Sequence, residues 1–254
     1  MLIPKGMTEY AAFIEIKSKS STAGSTGANQ AGGIILSSNY IITSAHSFLD
    51  SNNKAIDPST LVVGYGSGLR SEQTNTTCTT IHIHPDFVTA NNTLDYRYDI
   101  ALLEVPVLSL YSTSSMVKIY NGELYPRQQV LTVGWGKTGP TDTLLLGWLR
   151  GAITSVGYKN ECTAYIDGYV SSNKAQICSF DFANTKAGAS LGDAGSAIVV
   201  SENGQTKLAG IASQIVYYTN PKGAVTGVAH VDVNVNYHIQ FIANVTGLAD
   251  SAYY

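Results

Sequence analysis

Charge is scarce in this sequence. Only 13% of its residues are Asp, Glu, Lys or Arg, and 15 basic against 18 acidic residues leave a net charge of −3. That balance gives no basic surface for nucleic acid, and no block of like charge supplies one locally. Long apolar runs are missing too: none reaches the roughly 18 residues that a membrane-spanning helix needs. Cysteine is sparse and odd in number. Cys78, Cys162 and Cys178 allow at most one bridge within the chain, with one thiol left over. They show no C-x-x-C spacing, which argues against a zinc site. The βαβ alternation of a doubly wound fold is absent, and no period of about 20–50 residues marks a repeat. No secretory signal peptide opens the sequence; a secreted protein would stand here in its mature form.

What is abundant favours strands and turns. The chain holds 24 Gly and 16 Tyr, with many Ser, Thr, Asn and Val residues. Its 254 residues suit one large all-β unit or two of about 120 residues. Area scaling allows roughly 70% of the unfolded surface to be buried, so size alone requires no staple. Short β-type runs fall at 11–16, 33–36, 40–42, 61–64, 80–83, 100–105, 129–133, 197–200, 207–212 and 225–231. Turn clusters separate them at 18–27, 50–59 and 202–205. A helix is expected over 235–243, where Val235, Ile239 and Ile242 share a face, and a shorter one near 161–168. The Ser-rich stretch 107–117 reads as a crossing between two β halves. Gly64, Gly66 and Gly68 read as a turn, because no helix follows them to form a phosphate loop. Sequons at Asn75, Asn91 and Asn244 are compatible with a secretory route.

Three segments carry chemistry together. They are Ile42-Thr43-Ser44-Ala45-His46-Ser47, Tyr98-Asp99-Ile100-Ala101-Leu102-Leu103 and Gly192-Asp193-Ala194-Gly195-Ser196-Ala197. Each lies at a strand end, where a side chain can be aimed into a cleft. Acyl transfer by a hydroxyl needs a base, an acid that orients the base, and N–H donors beside the nucleophile. The order His, Asp, glycine-rich turn is one of several that meet this need.

In these motifs the chain resembles the trypsin/chymotrypsin-like serine proteases. The family's T-A-A-H-C stands here as Thr43-Ser44-Ala45-His46-Ser47, and D-I-A-L-L is intact from Asp99. G-W-G stands at Gly134-Trp135-Gly136, His84-Pro85 precedes the Asp, and G-D-S-G-G-P becomes Gly192-Asp193-Ala194-Gly195-Ser196-Ala197. The resemblance implies an all-β fold of two antiparallel six-stranded barrels with a C-terminal helix. The first barrel, residues 1–115, would carry His46 and Asp99; the second, 116–254, would carry the 192–195 turn and the helix. It implies a secreted, monomeric endopeptidase with no cofactor and no metal. Its partners would be a peptide or protein substrate and a protein inhibitor, with neither nucleic acid nor membrane.

The departures from the pattern are specific. Ala194 holds the nucleophile position and has no hydroxyl for His46 to deprotonate, so the chain as given is expected to be inactive. A Ser→Ala variant of an endopeptidase and a natural pseudoprotease, acting as a binding or regulatory protein, both fit that residue. Ser196, two residues on, is a poor substitute. The backbone N–H groups of Gly192 and Ala194 would form the oxyanion hole. The family bridge beside the histidine is lost at both ends, at Ala31 and Ser47, and Ser190 replaces the cysteine before the nucleophile turn. Cys162 and Cys178 match a remaining family pair and should be bridged, leaving Cys78 free.

The family's substrate pocket maps to Gly188 at the floor, Ser213 and Ile215 on one edge and Gly227 on the other wall. Gly188 brings no charge and Ile215 narrows the space, which implies a preference for a small or medium apolar residue before the scissile bond. Active members free an amino terminus that pairs with the Asp beside the nucleophile, here Asp193. The nearest match, Ile3-Pro4-Lys5-Gly6, is imperfect, and a retained Met1 would leave the chain zymogen-like. His82 and His84 share a strand face but lack a third metal ligand. His230 and His238 read as structural, and Trp135 as packing.

Overall fold

A computed structural model of the chain describes residues 3, 9–17, 30–110, 116–137, 147–166, 169, 174–182, 188–219 and 225–254. The turn cluster at 18–27, the Pro4-Lys5-Gly6 segment and the middle of the 107–117 crossing lie outside them, wholly or in large part.

Fourteen strands form two seven-stranded sheets among the described residues. In the first half these are β1 (Ala11–Ile16), β2 (Gln30–Ile35), β3 (Tyr40–Thr43), β4 (Leu61–Tyr65), β5 (Thr74–Thr77), β6 (Thr80–Ile83) and β7 (Ala101–Glu104). They pair antiparallel in the order β5-β4-β1-β2-β3-β7-β6. In the second half these are β8 (Lys118–Ile119), β9 (Gln129–Gly134), β10 (Arg150–Val156), β11 (Gln176–Phe180), β12 (Ala197–Glu202), β13 (Gln205–Thr219) and β14 (Val225–Asn234). Strands β12-β9-β10-β11-β14-β13 close through a β12–β13 pairing into a ring of six, with β8 added parallel to β13. The architecture is the chymotrypsin-like one expected from the motifs, with one difference: the second half closes as the expected six-stranded barrel, whereas the first is a seven-stranded half-barrel in which no pairing among the described residues joins the edge strands β5 and β6.

Alternation along three strands explains how the halves hold together. Ile35, Ile41 and Leu103 point into the first barrel with Ile14, Leu61 and Phe48. Their neighbours Ile34, Ile42 and Leu102 point the other way, onto Val133, Trp135, Val199, Ile211 and Val233 of the second half. The register pairs Ile34 with Ile42 and Ile42 with Leu102, so one apolar row faces the other barrel. Each such side chain, fully buried, adds roughly 1.5–3 kcal/mol.

The C-terminal helix begins as a 3₁₀ turn over Val235–His238 and continues as α2 (Ile239–Thr246). Val235 and Ile242 are buried in the inter-barrel core. Gly247 ends α2 in the left-handed region, at φ 70°, where a side chain would be strained. The shorter helix is α1 (Lys159–Tyr165), opened by Glu161, which accepts from the Tyr158 N–H at 2.9 Å. A disulfide between Cys162 on α1 and Cys178 on β11 ties it to the sheet. Cys78 is a free, buried thiol, and burial pushes it up to about 11.

Candidate active site

His46 stands in a 3₁₀ turn immediately after β3, held down by fully buried Phe48. Asp99 follows a second 3₁₀ turn, Tyr96–Tyr98, whose start is capped by the Asp95 carboxylate. These turns place Asp99 beneath His46. Its Oδ1 accepts the His46 backbone N–H at 2.8 Å, and its Oδ2 lies 2.7 Å from His46 Nδ1. Ser213 Oγ, from β13 of the other sheet, donates to the same Oδ2 at 2.5 Å. Asp99 is wholly buried, and these three contacts make that tolerable. Burial works against a charged His46. The Asp99 charge and hydrogen bond outweigh it and hold the imidazole above its ordinary value. Engagement of Nδ1 by the carboxylate leaves Nε2 as the ring nitrogen not held by Asp99.

The 192–195 turn is docked on the first barrel. Gly32 N–H donates to Ala194 O at 2.7 Å, and Gln30 Nε2 reaches Gly192 O at 3.4 Å. Gly192 and Gly195 both adopt positive φ, 96° and 81°. At Gly195 a Cβ would also lie 2.2 Å from Thr43 Oγ1 and 2.4 Å from Gly32 O, so only glycine allows this approach. Within the turn Gly192, Asp193 and Gly195 are buried while Ala194 is partly open. The N–H groups of Gly192 and Ala194 have no partner among the described residues, which leaves them able to receive an oxygen. Ser196 is buried against Gly32 and Gly134 and is screened from any substrate.

Asp193 points away from the cleft. Its Oδ1 accepts from Gly136 N–H at 2.6 Å and its Oδ2 from Ser190 N–H at 2.9 Å. Both glycines of Gly134-Trp135-Gly136 are needed here, since a Cβ on either would fall within 2.3 Å of that carboxylate. Burial pushes the Asp193 carboxyl up to about 6, against the two N–H donors. Ile3, the residue expected nearest a freed terminus, packs its side chain on Gly151 and Leu131. Trp135 is core packing as expected, edge-on to Phe13 and donating to Gly68 O at 3.0 Å.

The pocket residues come together only in part. Ile215 sits opposite His230 in the β13–β14 register, whereas Gly227 pairs with Tyr218, three positions along β13. His230, expected to be structural, lies buried on β14. His238 does have that role: its Nε2 lies 2.9 Å from Arg97 O, and its ring packs on His84, Tyr98 and Tyr237. His82 pairs with Glu104 at 3.3 Å, and His84 accepts from Asp86 N–H at 3.2 Å. No group of three or more His, Cys, Asp or Glu among the described residues could hold a metal. A separate cleft of about 410 Å³, lined by Tyr120, Lys159, Lys174 and Tyr237 among others, contains none of the site residues.

A buried Asp99 that accepts from His46 of one sheet and Ser213 of the other, with the 192–195 turn docked on the first sheet, matches the chymotrypsin-like class of fold. The family model described as Trypsin matches residues 4–238, and the chain belongs to that family. A comparison with curated proteins gave no match.

Proposed function

We propose that this chain is a secreted endopeptidase of the serine type whose chemistry stops at one missing atom, the hydroxyl at position 194. The observation that carries the reading is the His46–Asp99–Ser213 cluster, which costs burial of a carboxylate. In the proposed mechanism a hydroxyl at 194 attacks the peptide carbonyl while His46 Nε2 takes its proton. Asp99 holds the imidazole tautomer, and the N–H groups of Gly192 and residue 194 receive the oxyanion. His46 then returns the proton to the leaving amine.

As given, the chain binds peptides and leaves them intact. Ala194→Ser should restore turnover, measured on a varied peptide set with both proteins sharing one amino terminus. Losing the nucleophile of such a unit costs on the order of 10⁶ in turnover. The disulfide and the three exposed sequon asparagines, Asn75, Asn91 and Asn244, support a secretory route. The pocket has no acid at 188, which disfavours Lys and Arg; Gly188 and Ile215 by themselves would suit a small or medium apolar side chain.

A second reading rests on Ala194 itself: a natural pseudoprotease that keeps the cleft as a binding surface for a protein partner or inhibitor. Ala194→Ser that stays inert on all peptides, beside a parent chain that captures a specific protein, selects this reading.

A further inference from the structure

Gly64 stands in the middle of an open row on the first sheet. The register sets Phe13 of β1 beside Gly64 of β4, and Gly64 beside Asn75 of β5, so the three share one face. The central position carries no side chain. A Cβ there would fall 2.3 Å from Gln73 Oε1 and 3.2 Å from Asn75 Oδ1, so Asn75 leans over bare backbone. The result is a shallow cleft of about 410 Å³, lined by Phe13, Glu15, Leu69, Arg70, Gln73 and Asn75 among others. That volume falls in the roughly 300–1,000 Å³ range of small-ligand sites. Arg70 lays its guanidinium 3.8 Å from the centre of the Phe13 ring and makes no ion pair among the described residues. The Glu15 carboxylate is likewise unpaired there, and Gln73 gives its Nε2 to Ser67 O at 3.0 Å, which leaves its Oε1 open. One cation, one anion and an amide oxygen suit an uncharged ligand rich in hydroxyl and amide groups better than they suit an ion.

Asn75 is also the first residue of the sequon Asn75-Thr76-Thr77. Asn75 and Thr77 are exposed, and neither side chain has a hydrogen-bond partner among the described residues. The other two sequons are less free. The Thr93 hydroxyl is bonded to that of Thr89 at 2.7 Å, and the Thr246 hydroxyl donates to Ile242 O at 2.9 Å within α2. We propose that Asn75 is N-glycosylated and that its first sugar, an N-acetylhexosamine, lies in this cleft. The proposal rests on the secretory reading above. In the modification a transferase acting in trans joins Asn75 Nδ2 to the anomeric carbon of an oligosaccharide carried on a lipid pyrophosphate. The bond from that carbon to the pyrophosphate oxygen breaks, the pyrophosphate leaves with the electron pair, and Nδ2 gives up one proton. Seated over Gly64, the sugar turns its hydroxyls and acetamide to the Arg70 donors and to the acceptors of Glu15 and Gln73. Its C–H face has the exposed Leu69 side chain to rest on. Strand β5 is an edge of four polar residues, and a sugar chain beside it also hinders the approach of another strand.

The test expresses the full chain behind a secretory leader in a eukaryotic host that leaves oligomannose glycans. Release with peptide N-glycosidase in ¹⁸O-water labels every used asparagine, and peptide mass mapping should find Asn75 occupied. Asn91→Gln with Asn244→Gln, both at exposed positions, then leaves Asn75 as the remaining sequon. Trimming that native protein with an endoglycosidase leaves a single N-acetylglucosamine, and the melting temperature should hold. Removing this last sugar with peptide N-glycosidase should lower it by about 2–4 °C. Adding Arg70→Ala should keep Asn75 occupied and abolish the difference between the trimmed and bare forms, a result that a sugar standing free in solvent would not give. Occupancy is read on the parent chain, so it stands even if a variant misfolds. An unoccupied Asn75 in the secreted chain overturns the proposal and leaves the secretory reading in place. An occupied Asn75 whose last sugar comes off with no shift overturns its seat in the cleft. A chain that is neither exported nor glycosylated overturns the secretory reading and this proposal with it.

Discussion

Gly134→Ala adds one methyl group at the end of β9, far from any substrate, and it should cripple the protein. The new Cβ would stand 2.0 Å from Asp193 Oδ1 and 2.7 Å from Ser196 Oγ. Asp193 cannot swing aside cheaply, because it is fully buried and held by the Gly136 and Ser190 N–H groups. Forcing a methyl into packed surroundings costs roughly 1–3 kcal/mol. Losing the short Gly136 N–H bond to a charged group adds about 1.5–3 kcal/mol. A total of about 2.5–6 kcal/mol follows, a large share of the ~5–15 kcal/mol by which domains are stable. Urea unfolding followed by the fluorescence of Trp135, the next residue along, reads it directly. The same substitution in an Asp193→Ala background should cost clearly less, because the clashing carboxylate is gone and only the Ser196 Oγ contact is left to yield. An equal cost in both backgrounds, or a loss under 1 kcal/mol in the parent, would refute the view that these glycines exist to cradle Asp193.

Other predictions concern protons and sulfur. In the Ala194→Ser protein, turnover should rise with pH through the His46 titration, at a value above that of an ordinary imidazole. Because that value is raised by folding, the stabilisation His46 contributes is present at low pH and fades as pH climbs through it; NMR titration of His46 gives the midpoint. Adding Asp99→Asn should bring the midpoint down and cut turnover on the order of 10⁴, as measured by steady-state kinetics. Asp193 should titrate near 6 by carboxyl ¹³C NMR; its raised value favours the fold below the ordinary carboxylate range and loses that contribution as pH passes 6. Joint Cys162→Ser and Cys178→Ser replacement should cost about 3 kcal/mol in urea unfolding, while Cys78 stays unreactive to thiol reagents until the protein unfolds.

The strands most legible in the sequence were those with large apolar side chains on alternate positions, such as Ala11–Ile16 and Thr80–Ile83. Three strands that went unread include Gln176–Phe180, buried at four of its five positions, and two with little to bury. Thr74–Thr77 is an edge strand of four polar residues, and Arg150–Val156 mixes Gly, Thr and Ser with two large aliphatics. The relay was legible because each member sits in a short local motif whose residue types have few other uses. The register of the two long strands β13 and β14 was not, because it shifts at 211/214 and 218/219. Local sequence carries no signal for where such a shift falls.

The bond from Gly32 N–H to Ala194 O has a consequence for assembly. His46 and Asp99 are carried by one half of the chain, while the 192–195 turn and the hydroxyl of Ser213 are carried by the other. Neither half by itself possesses a cleft. Peptide affinity is thus a report on whether the two halves have closed on one another, with the Gly32–Ala194 contact as the latch. A folding intermediate with a single finished barrel would be blind to peptides, and hence unable to cleave its own unfinished neighbours even with serine at 194. Competence arrives last, in the same step that hides Ile34, Ile42 and Leu102 from water.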